Sequence, residues 1–355
     1  MRIAMICPYD ISASGGVKEQ TLGLATELRR RGHDVTVVAP GHLPGVVNAG
    51  RSTPLPVNGS IARVAPHPAA IVRTIRAIRG GGFDVVHVHE PLAPSISLPA
   101  VLSARAPVVG TFHAAGHCLA YRMFRRPLTS IARHIDVRTA VSPAAAAFAA
   151  EHVGGDYRVL FNGVDVEHFR HGTVARLPNP TILFIGRHEP RKGLGVLLEA
   201  VHSMSEPVEL FVAGQGPDTG RLRSRFAHDR RIHWLGELSD SRKQLWLRMT
   251  TVVCVPSLGG ESFGVVPLEA MAAHTTVVMS DIPAYRRVSE DGRAAVLVAP
   301  GDAPALARAL GEVVTRSIDV DSLRDKGDKV AEHHSFEHLT DAYLDVYRSL
   351  VPATG

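Results

Sequence analysis

Two carboxylates, Glu261 and Glu269, stand in the stretch GGESFGVVPLEAMAAH (Gly259 to His274) with seven residues between them. At that spacing they cannot share one face of a single helix. The economical arrangement puts Glu261 on a loop behind two glycines, and Glu269 one to two turns into a helix that follows Ser262, Phe263 and Gly264. The first backbone N–H groups of that helix would point between the two acids and form an anion site. Acid, helix N-terminus and acid together suit a ligand that combines hydroxyls with phosphate, such as a sugar nucleotide. Upstream, GRHEPRKG supplies Arg187 and Lys192, a planar fork and a mobile point charge suited to a diphosphate.

Other chemistry-bearing residues lie in the first half of the chain. His113, in GTFHAAGH, follows an apolar run, and is either a cleft residue or a satisfied structural histidine. In His87-Val88-His89-Glu90, strand alternation puts both histidines on one face, but no third ligand has metal-site spacing, so no metal is expected. Gly15-Gly16 before a helix either lets backbone approach a phosphate or makes a plain turn; the G-x-G-x-x-G of a dinucleotide oxidoreductase is missing. His67–Gly80 reads as an amphipathic helix with Ile71, Ile75 and Ile78 on one side and Arg73, Arg76 and Arg79 on another. It is either an anionic-membrane contact or an ordinary surface helix. Arg122, Arg125 and Arg126 add charge with few aromatics interleaved, a poor pattern for nucleic acid.

These residues need elements to position them, and 355 residues favour two domains. An apolar content of 45% supports buried cores, while a formal charge of +5 fits phosphorylated partners without selecting one. Cys7, Cys118 and Cys254 are odd in number and far apart, which argues for a reducing cytoplasm over a disulfide framework. The start MRIAMICPYD is too short an apolar run for a signal peptide, and no window offers a membrane span, so membrane contact is expected to be peripheral.

Apolar runs at Ile3–Cys7, Val35–Val38, Val85–Val88 and Val108–Thr111 read as buried parallel strands, with a helix at Leu22–Arg31 stopped by Gly32. Val166 to Pro180 lacks periodicity and reads as the linker. The rhythm then restarts with strands at Thr181–Ile185, Val208–Val212, Ile232–Leu235, Thr251–Val255, Thr276–Ser280 and Ala295–Val298, and a helix at Leu194–His202. The fold class is α/β, two parallel-sheet domains in tandem. A final stripe of Phe336, Leu339, Tyr343, Val346, Tyr347 and Leu350 predicts a helix that either packs on the second domain or bridges back to the first.

ESFGVVPLEAMAA preceded by GR…RKG resembles the donor site of retaining glycosyltransferases of family 4. ICPYD…GGV, NGSIAR, FDVVHVHEPLAPS, TFH, FNGVDVEHF and LGGESFG extend the resemblance over the whole chain, toward the actinobacterial phosphatidylinositol α-mannosyltransferases. The resemblance implies a GT-B fold, two Rossmann-like domains facing across a cleft, with domains at 1–168 and 169–334 and a terminal helix, 335–355, crossing back. It implies donor contacts from Gly16, Arg187, Lys192, Glu261, Phe263, Gly264, Val265 and Glu269, with His113 near the reacting carbon. Tyr9, Lys18, Asn58, Ser60 and Arg63 would form the acceptor side, and Arg73, Arg76 and Arg79 the membrane contact. The implied reaction is metal-independent transfer of mannose from GDP-mannose to a phosphoinositide lipid at the inner face of the plasma membrane. Departures from the family pattern are Ser14, Lys18, Ala114-Ala115-Gly116 and His274.

Overall fold

The computed structural model describes residues 1–13, 15–57, 60–115, 119–172 and 177–351. The backbone forms two compact units, Met1–Gly163 with Phe336–Gly355, and Val164–Ser335. In the first unit the strands are β1 (Arg2–Ile6), β2 (Asp34–Ala39), β3 (Val46–Asn48), β6 (Val85–His89), β7 (Val108–Phe112), β8 (Val137–Ala140) and β9 (Arg158–Val159). They make one parallel sheet in the order β3-β2-β1-β6-β7-β8-β9. A separate antiparallel hairpin joins β4 (Thr53–Val57) to β5 (Ser60–Val64). Every residue of β6 and β7 is buried, which is why both read as continuous apolar runs in the sequence.

Strand order reverses between β1 and β6, so the loops leaving those two strands diverge and open a crevice at the carboxyl edge of the sheet. The helix after β1 spans Gly16–Arg30 and starts well before Leu22. Its first turn carries Val17, Lys18 and Glu19, all half-buried, and so lacks the apolar stripe that marks the later turns.

The second unit repeats the plan. Strands β10 (Thr181–Ile185), β11 (Glu209–Ala213), β12 (Ile232–Gly236), β13 (Val252–Val255), β14 (Thr276–Ser280) and β15 (Val296–Val298) are all parallel, ordered β12-β11-β10-β13-β14-β15. The switch point lies between β10 and β13. One face is covered by the Leu194–Ser203 and Ala303–Val314 helices, whose Leu197, Leu198, Val201, Leu306 and Leu310 share a core with Ile182, Leu210, Val252 and Val278.

The stretch expected as a linker begins as structure. Val166–Arg170 is a helix whose N-cap Asp165 accepts from the His168 N–H at 2.9 Å. It belongs to the second unit, so the division falls after Gly163 and not after residue 168. Residues 173–176 lie outside the described ones.

The terminal helix, Phe336–Leu350, joins the first unit. Tyr343, Leu344, Val346 and Tyr347 bury against Ile3, Met5, Leu24, Val85 and Val109. Arg30 meets Glu337 at 2.7 Å, and Arg31 pairs with Asp341. The Phe336 ring fills space that only glycine leaves, because a Cβ on Gly23 would fall 2.1 Å from it and one on Gly163 2.5 Å. Among the described residues no helix is long and apolar enough to cross a membrane.

Candidate active site

The loops that leave β10 and β13 come together at the second unit's switch point. The first runs from Gly186 through a 3-10 turn at Pro190–Lys192 to the left-handed Gly193 (φ 69°). A Cβ on Gly193 would lie 1.9 Å from the Pro256 carbonyl oxygen, so glycine alone lets this loop rest on the end of β13. The second loop carries Glu261 to Gly264, the N-cap of the Val265–Ala272 helix. Glu261 is therefore on the loop and Glu269 in the helix, as the spacing required.

Three groups converge on one oxygen of Glu261. Lys192 Nζ donates to Oε1 at 2.8 Å, Arg191 Nη1 at 3.1 Å and the Ser257 hydroxyl at 3.1 Å. The Tyr285 hydroxyl stands behind Ser257 at 2.9 Å, and burial raises its pKa well above the usual range, so it stays a proton donor. Among the described residues Oε2 of Glu261 accepts no bond, which leaves it for a ligand hydroxyl. Beside this cluster Glu189, 2% exposed, holds Arg187 Nε at 2.9 Å and Arg191 Nε at 3.1 Å. Three cations thus face two carboxylates, and the surplus positive charge favours an anion. Glu269 is buried and takes Lys243 Nζ at 2.6 Å.

Arg187, Lys192, Glu261, Phe263, Gly264, Val265 and Glu269 therefore lie on two neighbouring loops and the helix that follows one of them. Arg191, Glu189 and Lys243 were missed. Arg191 stood beside Lys192 in the sequence with nothing to separate their roles, and Glu189 had no spacing signal at all. Lys243 is on the Asp240–Met249 helix, remote in sequence from Glu269.

In the first unit His113 directly follows β7 and is buried, where burial pushes its imidazole down to about 3. It is neutral at physiological pH. Its Nε2 shares a hydrogen with His89 Nδ1 at 2.9 Å, and its backbone N–H and that of Ala114 donate to Glu90 Oε1 at 2.8 and 2.6 Å. Glu90 is itself buried, and that burial raises its carboxyl to about 7 against the lowering effect of those two bonds. His87 stacks on His89 at 4.5 Å and bonds the Tyr347 hydroxyl and Thr111 Oγ1, both at 2.6 Å. The His-Val-His alternation thus builds an internal network. Among the described residues the cluster spaced to hold a cation is elsewhere, His274 with Asp325 and Asp328, and it is largely exposed.

Gly15 caps the helix that Gly16 opens, and nothing lies within 4 Å of an added Cβ on either, so packing does not require either glycine. Tyr9 bridges Val64, and the Asp10 N–H donates to the Arg63 carbonyl at 2.9 Å, which brings Tyr9 and Arg63 to one edge; Lys18 lies on the first turn of the Gly16–Arg30 helix. Asn58 lies outside the described residues, as does the side chain of Ser60. The Pro68–Gly80 helix buries Ala70, Thr74 and Ile78 and half-buries Ile71 and Ile75, while Val72, Arg73, Arg76 and Arg79 face out. Of its isoleucines, Ile78 belongs to the core and Ile71 and Ile75 are half-buried.

Similarity to known proteins agrees with this geometry. The family described as Glycosyltransferase Family 4 matches residues 14–168, and that described as Glycosyl transferases group 1 matches residues 179–316. Phosphatidyl-myo-inositol mannosyltransferase of Mycobacterium leprae is 39% identical over 364 residues, covering 99% of this chain and 97% of that protein. The protein of the same name from Mycolicibacterium smegmatis is 42% identical over 325 residues, covering 87% and 84%. Among solved structures, Anabaena Alr3699/HepE in complex with UDP-glucose superposes with a TM-score of 0.78 at 17% identity, over 99% of this chain and 100% of that one. WaaG, a glycosyltransferase involved in lipopolysaccharide biosynthesis, gives 0.70 at 17%, over 98% and 99%. With two Rossmann-like units of the GT-B type and full-length relatives at this identity, the chain belongs to glycosyltransferase family 4, among the phosphatidyl-myo-inositol mannosyltransferases.

Proposed function

We propose that this glycosyltransferase moves mannose from GDP-mannose to the inositol ring of phosphatidylinositol, with retention at the anomeric carbon. The observation that carries the reading is the cation cluster of Arg187, Arg191 and Lys192 around Glu189 and Glu261 at the second unit's switch point. The names of the full-length relatives support the mannose and the lipid, and a neighbour solved with UDP-glucose supports a nucleotide-sugar donor.

In this reading Arg187 and Lys192 hold the diphosphate, and the free oxygen of Glu261 accepts from a sugar hydroxyl. Backbone groups of Phe263, Gly264 and Val265 add helix-end stabilisation, and Glu269 takes the ribose. Gly16 lets the first unit's loop approach the diphosphate, while the neutral His113 contacts the transferred sugar. An inositol hydroxyl attacks the anomeric carbon on the face from which the diphosphate departs. The carbon–phosphate-oxygen bond breaks, and the hydroxyl proton passes to the departing phosphate oxygen, giving mannosylated lipid and GDP. Each charge-assisted bond to the leaving group contributes about 1.5–3 kcal/mol, and the helix end about 1 kcal/mol, so stabilisation of the developing charge is the main catalytic effect. Tyr9, Lys18, Asn58, Ser60 and Arg63 form the acceptor side, and the enzyme works at the cytoplasmic face of the membrane.

The test is a transfer assay that crosses a panel of nucleoside diphosphate sugars with phosphatidylinositol vesicles, free inositol phosphate and no acceptor, read by lipid mass spectrometry. The expected product is lipid one hexose heavier, formed from GDP-mannose alone. Transfer from another sugar nucleotide, or to the soluble acceptor only, would replace the donor or the acceptor in this reading. Donor binding without turnover would make the chain a binding module.

A further inference from the structure

Ser257 lies just past β13 and is fully buried. Its hydroxyl touches two groups, Glu261 Oε1 at 3.1 Å and the Tyr285 hydroxyl at 2.9 Å. A serine hydroxyl has one hydrogen to give. Glu261, paired with Lys192 and Arg191, is a carboxylate and only accepts, so that hydrogen goes to Glu261. The bond from Tyr285 must then run the other way, phenol donating to Ser257. Burial, with the charge of Glu261 nearby, keeps the phenol protonated for this task. Each bond polarises the next, so the chain from Tyr285 through Ser257 strengthens the last donation.

Tyr285 sits on the Pro283–Val288 helix, 1% exposed. Its ring also closes the space over Gly264, where an added Cβ would come 3.2 Å from two ring carbons. One buried side chain thus braces both ends of the loop: Glu261 through Ser257, and the N-cap of the Val265–Ala272 helix directly.

The three donors on Glu261 Oε1 are not equivalent. Lys192 is the group that the donor diphosphate claims in the proposed function. Arg191 is partly exposed and divided between Glu189 and Glu261. Ser257 is neutral, wholly buried, and among the described residues donates to nothing else. An arriving diphosphate therefore competes for Lys192 and leaves Ser257 in place. The terminal torsion of a glutamate is broad, so a carboxylate that loses its donors is free to turn. We propose that Ser257, aimed by Tyr285, is a positioning residue that holds Glu261 with Oε2 turned to the transferred sugar while the diphosphate occupies Lys192. The inference rests on the proposed function for what the ligand offers to each group.

The experiment compares the full chain with Ser257→Ala, Tyr285→Phe and Ser257→Ala/Tyr285→Phe. Affinity for GDP, turnover at saturating GDP-mannose and melting temperature are measured for each. Ser257→Ala should bind GDP within about twofold of the wild type, while turnover falls by about tenfold or more. Its melting temperature should drop, because the Tyr285 O–H is left buried without an acceptor. Tyr285→Phe leaves Ser257 donating to Glu261 and should keep more turnover than Ser257→Ala. The double variant removes both polar groups, so it should regain much of the melting temperature but none of the turnover. A merely structural role would move the two together. Three results would each overturn the proposal: wild-type turnover in Ser257→Ala, a loss of GDP affinity equal to the loss of turnover, or turnover that returns with stability in the double variant. The wild type alone reports on the assigned reaction. If it transfers from another sugar nucleotide, the donor identity falls and the variants are compared with that donor. If it binds donor and transfers nothing, the same contrast is read between affinity for sugar nucleotide and for nucleoside diphosphate.

Discussion

At the scale of single residues, the two candidate-site glycine groups answer different demands. Gly193 is fixed by the fold, since any Cβ there strikes the Pro256 carbonyl and φ is left-handed. Gly16 has open space around it. Gly193→Ala is therefore expected to lower the melting temperature and donor affinity together, with strain of about 1 kcal/mol or more. Gly16→Ala should leave the melting temperature within error and, in the proposed function, reduce turnover with GDP-mannose by placing a methyl where the donor approaches. Thermal melts paired with steady-state kinetics separate the two, and a Gly16→Ala enzyme with unchanged kinetics would remove Gly16 from the site. The sequence disclosed Glu261 and Glu269 because their spacing forced one onto a loop and one into a helix. It could not disclose that Arg191 shares Glu261 with Lys192, since adjacent basic residues in a loop have no periodicity to tell them apart. Nor could it show that Glu189 is buried between two arginines.

Among the elements, the terminal helix shows what a pattern carries and where it stops. Its stripe gave the buried face, with Tyr343, Val346 and Tyr347 all in the core. The destination was open, because an apolar stripe names no partner; the ring of Phe336 against Gly23 and Gly163 supplies that information only in three dimensions. Short strands such as β3, β8 and β9, and the β4–β5 hairpin, were missed because two to five residues with partly exposed faces leave no clear alternation. The helix is held by burial and by the Tyr347–His87 bond more than by its surface ion pairs. Tyr347→Phe leaves His87 Nδ1 without its partner in the core and should cost about 1–3 kcal/mol in urea unfolding. Glu337→Ala, which removes an exposed carboxylate, should cost less than about 1 kcal/mol. The reverse ranking would mean that charge, not packing, holds the helix.

For the molecule as a whole, the buried histidines set an acid limit. His87 and His113 are held at about 3 by burial against an ordinary 6.5, so the folded protein binds fewer protons than the unfolded chain between those values. Stability therefore rises with pH across that window and is lost on acidification, with a slope of up to about 1.4 kcal/mol per pH unit for each histidine. Glu90, raised to about 7 from 4.5, acts in the opposite sense, since the folded state keeps its proton longer. Two histidines outweigh one glutamate below pH 6.5. Glu90→Gln should steepen the acid-side loss of stability, and a variant with an unchanged or shallower slope would contradict the buried, protonatable carboxyl described here.

The central claim is that the loops after β10 and β13 form the donor diphosphate site. The direct measurement is calorimetric titration of GDP-mannose into the wild type and Lys192→Ala. In the proposed function, removing Lys192 deletes a phosphate contact, and it leaves Glu261 less neutralised beside the incoming anion. The affinity is therefore expected to fall by about tenfold or more, with the melting temperature of the free protein little changed. A dissociation constant that stays within about twofold of the wild type would contradict the account.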